Sequence, residues 1–158
     1  MRNNSTFNTA RSLMLCAGTA LALCVSNTEA GAAPADTAQC AQQFDVAQKN
    51  NMEAFRDYNK DAFFDLRDTK AAALFSSGYA FYGRDNIMKA LSGHFSNKKA
   101  VWSWEEKYRF IDGCKAAFIV YDAHYDSEHS LTSVTFTYND GKWQVVKDQG
   151  TLLPVATQ

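Results

Sequence analysis

The stretch Thr132-Ser-Val-Thr-Phe-Thr-Tyr138, Asn139-Asp-Gly141, Lys142-Trp-Gln-Val-Val-Lys-Asp-Gln149 decides the fold. Two runs rich in β-branched and aromatic residues flank a short Asn/Asp/Gly connection, the strongest short-range signal for a β-hairpin. Reading toward the N-terminus, residues 126–130 form a polar loop that contains His129, and residues 116–125 form another strand. Asp112-Gly113 predicts a tight turn. Before it, Trp102, Trp104, Tyr108 and Phe110 alternate along one long strand and are expected on one face. The C-terminal half is thus four antiparallel strands.

Upstream the period changes. Cys40, Phe44, Ala47, Asn51, Phe55 and Tyr58 recur in steps of three and four, which draws one stripe down a helix. Asn51 interrupts that apolar stripe, and a buried amide needs partners. A short helix is expected over 61–67, a strand over 76–82, and a third helix over 85–95 with Ile87, Met88, Leu91 and Phe95 inward. Three helices in the N-terminal half followed by a meandering sheet predict an α+β domain with its helices on one face. A long helix on a strongly curved, mainly antiparallel sheet encloses a cone whose open end forms a pocket.

Residues 1–33 read differently from the rest. Arg2 and Arg11 precede an uncharged apolar run over 13–25, and small residues follow up to Ala35. That layout is expected of a secretory signal peptide, and the run is too short to span a bilayer comfortably. The chain has 158 residues, so about 125 remain as one domain over 34–158. The segment removes two of 16 basic and one of 17 acidic residues, leaving a net charge of −2. With no basic block, nucleic acid is not an expected partner. No later segment has the length for stable membrane insertion.

Of the four cysteines, Cys16 and Cys24 fall in the leader, and Cys40 and Cys114 remain. An even count in an exported protein predicts one disulfide between them; two buried free thiols are the alternative. Two distant cysteines and three scattered histidines show no metal-ligand spacing, so no metal is expected. No dinucleotide, phosphate-loop or nucleophile-elbow motif is present, and no cofactor is expected.

Phe81-Tyr-Gly-Arg-Asp-Asn-Ile-Met-Lys-Ala-Leu91 resembles the glycine-then-helix segment of the nuclear transport factor 2-like superfamily. Gly141 to Gln149 resembles its final strand, and residues 55–62 are similar to its first helix junction. The resemblance spans about residues 39–154 and is nearest to the SnoaL-like and ketosteroid-isomerase-like branch. It implies a cone-shaped α+β barrel, a homodimer formed through the sheet, and a hydrophobic pocket. Such pockets serve isomerases, dehydratases and hydrolases, and also domains that only bind or only assemble, so function must come from the site. The catalytic sets of those enzymes do not map onto this chain.

Pocket catalysis needs a general base and a hydrogen-bond donor. Asp122 and His124 share one face of their strand, and Asp148 lies near the end of the last strand, on the face of Gln144 and Val146. These three are the candidate bases. Against that role, Asp122 and His124 can face solvent on the outer side of the sheet, and Asp148 can sit at a rim. Asn51, Tyr58 and Tyr108 are candidate ligand donors, and Trp102 and Trp104 a candidate aromatic wall, though such residues are more often core or interface. His94 would overhang the pocket mouth or end its helix. The expected partner is a small hydrophobic or amphipathic molecule.

Overall fold

A computed structural model describes residues 37–154; the leader expected over 1–33 lies outside them. The elements are α1 (Thr37–Arg56), α2 (Lys60–Asp65), β1 (Arg67–Leu74), β2 (Ala80–Tyr82), α3 (Arg84–Ala90), α4 (Ser92–Asn97), β3 (Trp102–Asp112), β4 (Ala116–Tyr125), β5 (Glu128–Asn139) and β6 (Lys142–Leu152). One curved sheet holds the strands in the order β2-β1-β6-β5-β4-β3, and only β1 beside β6 is parallel. The fold is α+β, with the helices on one side of the sheet. No helix among the described residues is long and apolar enough to cross a membrane.

The opening hairpin closes as its residues demand. Asn139 pairs with Lys142, so the loop is the two residues Asp140 and Gly141, both at positive φ (50° and 80°). That geometry matches the right-handed twist of the strands it joins. The neighbouring loop is tighter than the sequence suggests. Tyr125 pairs with Glu128 around Asp126-Ser127, which moves Glu128, His129 and Ser130 out of the expected loop and into β5.

The α1 stripe forms as its period predicts. Cys40, Phe44, Ala47 and Asn51 are buried. Phe44 meets Phe136 and Trp143 edge-on, each at 5.2 Å between ring centres. The Trp143 indole donates to the Cys40 carbonyl at 2.9 Å, and Cys40 is bonded to Cys114 in a disulfide, fixing the start of the helix to the sheet. A second aromatic cluster, Phe63, Phe64, Ile87 and Phe95, packs α2, α3 and α4 over Ala71 and Ala73 of β1.

Three expectations need correction. The helix expected to Arg67 ends at Asp65, and Arg67 instead opens β1, whose alanine-rich run 71–73 gives little strand signal; pairing with β6 places it. The strand expected over 76–82 is instead a turn and the three-residue β2. The helix expected over 85–95 breaks at Leu91 into two, giving four helices among the described residues.

Two antiparallel ladders contain bulges, and these set which side chains face inward; the parallel β1–β6 ladder also slips, between Arg67 and Ala72. In β3, Glu106 pairs with Tyr121 but Tyr108 pairs with Val120, so Lys107 is an extra residue. In β6, Val145 pairs with Phe136 but Lys147 pairs with Thr135, so Val146 is an extra residue. A bulge shifts the phase of alternation by one. Trp102 and Trp104 therefore share the helix-facing side, while Tyr108 and Phe110 lie on the outer side and are more than half exposed. Arg109, back on the inner side, grips Glu106 through both carboxylate oxygens and also reaches Asp45 of α1.

Candidate functional site

Between the two aromatic clusters lies a cavity of about 340 Å³ that opens to solvent. The size falls within the range of small-molecule pockets. Its wall is largely carbon: Phe55 from α1, Phe63 from α2, Leu74 and Phe75 at the end of β1, Leu91, Trp102 of β3 and Val134 of β5. Its polar lining includes Asn51, Arg67, His94, Tyr125, Glu128 and Asp148.

Asp148 reaches the cavity because of the Val146 bulge. Strict alternation from Trp143 and Val145 would have sent it outward with Gln144. The extra residue pairs Asp148 with the buried Val134 and with the buried Ala73 instead. There it accepts from Arg67 Nη2 at 2.5 Å. Arg67 is 2% exposed. Its Nη1 donates to Asn51 Oδ1 at 2.9 Å and to the Phe63 carbonyl at 3.0 Å, and its guanidinium lies 3.4 Å from the Phe63 ring centre. Burial pulls the Arg67 pKa down, and Asp148 opposes that pull. The inward amide that interrupts the α1 stripe is thus one wall of an arginine cradle.

His94 is buried against Phe55, their rings parallel within 7° at 3.9 Å. Its Nε2 lies 2.8 Å from the Phe55 carbonyl, which can only accept, so Nε2 carries the proton. Nδ1 then accepts from the Tyr125 hydroxyl at 3.1 Å. Burial holds the ring below its usual pKa, more strongly than the Phe55 carbonyl and Asp126 raise it. Two buried nitrogens lack partners among the described side chains: Arg67 Nε and Trp102 Nε1. Both residues line the cavity.

Of the residues singled out from sequence, Asn51, Trp102 and Asp148 meet at this cavity. Tyr58 instead follows α1 at positive φ and donates to the Ala100 carbonyl. Trp104 stacks beside Trp102 with Arg56 over it, outside the lining. Tyr108 packs on Phe118 on the outer face. Asp122 and His124 also point outward, because the buried members of β4 are Ala117, Ile119, Tyr121 and Ala123. They do not reach the cavity. Arg67 was missed: it stood at the expected end of a helix, and its only signal was that an inward Asn51 and an inward Asp148 both call for a donor. His94 was visible only as a histidine at a helix edge.

No protein-family model matches the sequence, and no curated protein matches it. Solved structures do. A domain of unknown function with a cystatin-like fold from Nostoc punctiforme aligns with TM-score 0.62 at 14% identity, over 77% of this chain and 82% of that one. A nuclear transport factor 2-like protein of unknown function from Shewanella oneidensis aligns with TM-score 0.61 at 15% identity, over 70% and 98%. A Kribbella flavida protein provisionally named a ketosteroid isomerase aligns with TM-score 0.52 at 12% identity, over 74% and 82%. The chain therefore has the nuclear transport factor 2-like, cystatin-like fold.

Proposed function

We propose that this is an exported binding domain that holds one small apolar molecule bearing a hydrogen-bond acceptor. One observation carries the reading. Asp148, His94, Tyr125 and Glu128 each already have a partner within the protein, whereas two buried N–H groups, Trp102 Nε1 and Arg67 Nε, have none. A buried donor without a partner costs about 1–3 kcal/mol. Neither N–H presents surface to the cavity as it stands, so a side-chain shift would bring a carbonyl, ether or hydroxyl oxygen of a bound molecule to it and remove that cost, while the aromatic wall would bury the molecule's carbon skeleton. The expected leader and the Cys40–Cys114 bond support an oxidising compartment, periplasmic or extracellular.

Native mass spectrometry of the protein purified from its own compartment tests the reading. One non-covalent small molecule per chain is expected, and Ala90→Phe, which fills the cavity, is expected to lose it. Retention by that variant would place the molecule elsewhere.

A second reading is a cofactor-free acid–base enzyme, favoured by Asp148 and His94 lining one cavity. It requires conversion of the bound molecule that Asp148→Asn or His94→Gln abolishes. The homodimer implied by the resemblance would use the outer sheet face, where Tyr108 and Phe110 are exposed. Phe110→Lys is then expected to yield monomer in sedimentation.

A further inference from the structure

Two of the three histidines, His124 and His129, lie outside the cavity lining, and the sheet brings them together. His124 and His129 are directly paired across β4 and β5, and Asp122 stands two residues before His124 on the same face. Their imidazoles are parallel within 8° at 4.2 Å. Both Nε2 atoms converge on one oxygen: Asp122 Oδ1 is 2.6 Å from His129 Nε2 and 3.7 Å from His124 Nε2. From this geometry we propose that Asp122, His124 and His129 form a surface site for a divalent transition-metal ion of the zinc or copper class.

The distances suit an ion. Bonds near 2 Å to a tetrahedral centre separate neighbouring ligand atoms by roughly 3.3 Å. The two observed separations bracket that value, and all three ligand atoms lie within 4.8 Å of one another. Small rotations of half-exposed side chains would admit the ion. Two imidazoles with one carboxylate select a borderline ion over magnesium or calcium, which take oxygen ligands. Three protein ligands leave a fourth position for water or another donor.

The scaffold is held in place. Asp126, between the two histidines in sequence, accepts from the Val101 backbone with its side chain at 2.8 Å. Its own N–H donates to the Val101 carbonyl at 2.9 Å. The turn joining β4 to β5 is thereby tied to the start of β3. The local charge also favours a cation: Glu105 pairs across from Asp122, and one lysine, Lys107, bound to Glu105 at 2.7 Å, offsets only one of the two carboxylates.

Calorimetric titration of the disulfide-intact chain with zinc chloride near neutral pH tests the site. One zinc per chain is expected, with no heat from magnesium or calcium. His124→Ala, His129→Ala and Asp122→Asn are each expected to weaken binding by about tenfold or more. Unchanged binding in the His124→Ala/His129→Ala double variant, or no zinc binding at all, overturns the proposal. Histidine ring NMR on the unmodified protein gives an arm independent of folding of the variants. Zinc should shift the signals of His124 and His129 and leave His94 in place; a shift confined to His94, or no shift, overturns it.

Discussion

Arg67 donates from Nη2 to Asp148 Oδ2 at 2.5 Å, joining the first strand to the last beside the cavity. Their side chains are 2% and 20% exposed. Asp148→Asn would leave a buried cation without its counter-charge. The expected loss is about 3–5 kcal/mol, read from the urea midpoint. Replacing both, Arg67→Met with Asp148→Leu, is expected to recover most of it, since apolar substitutes for a buried pair are often neutral or better. An Asp148→Asn protein as stable as the parent would show that the pair is not needed to hold the fold.

His94 gives the fold an acid sensitivity. Burial holds its ring below the usual range. In the unfolded chain it titrates at about 6.5. Below that pH the unfolded state gains a proton that the folded state resists. Stability from this group is therefore full above about 6.5 and is lost as pH falls toward and through the folded value. Thermal midpoints measured from about pH 7 to about pH 5 should fall, and His94→Gln should flatten that slope. Equal slopes in the two proteins would remove His94 as the cause.

The Cys40–Cys114 bond closes a loop of 74 residues in sequence separation. The chain-entropy account values such a closure at about 4 kcal/mol. Cys40→Ala/Cys114→Ala is expected to lose that order of stability in denaturant titration. Two alkylated thiols in the native, unreduced, exported protein would show that the bond does not form there.

Trp102→Phe keeps the aromatic wall and deletes one N–H. If the indole donates to a bound acceptor, affinity should fall roughly three- to tenfold, matching about 0.5–1.5 kcal/mol for one hydrogen bond. Unchanged affinity would reduce Trp102 to packing.

Local patterns carried much of the architecture. The 3.6-residue stripe of Cys40, Phe44 and Ala47 and the Asp140-Gly141 turn depend on neighbours in sequence, and both form as expected. The β1 strand did not show, because Ala71 to Ala73 has no strand preference and is placed by a parallel partner far along the chain. The site was half legible. Asn51 was marked by being polar in an apolar stripe. The direction of Asp148 was hidden, since alternation assumes an unbroken ladder and Val146 breaks it. The outward turn of Tyr108 was hidden by Lys107 in the same way. The Asp122–His124–His129 cluster was invisible as a spacing because a hairpin three residues tighter than expected assembles it.

The same bulges bear on how this gene can change. Lys107 in the β3–β4 ladder and Val146 in the β5–β6 ladder are extra residues, one spare link in each of two strands. Losing a single codon at either place would straighten the strand and relax the sheet's bend, yet every later side chain would keep its side. The pairing of β4 with β5 has no such slack. A one-codon loss in either of those strands would turn the rest of it inside out. Length variation among descendants of this chain should therefore collect in β3 and β6 and spare the hairpin between them.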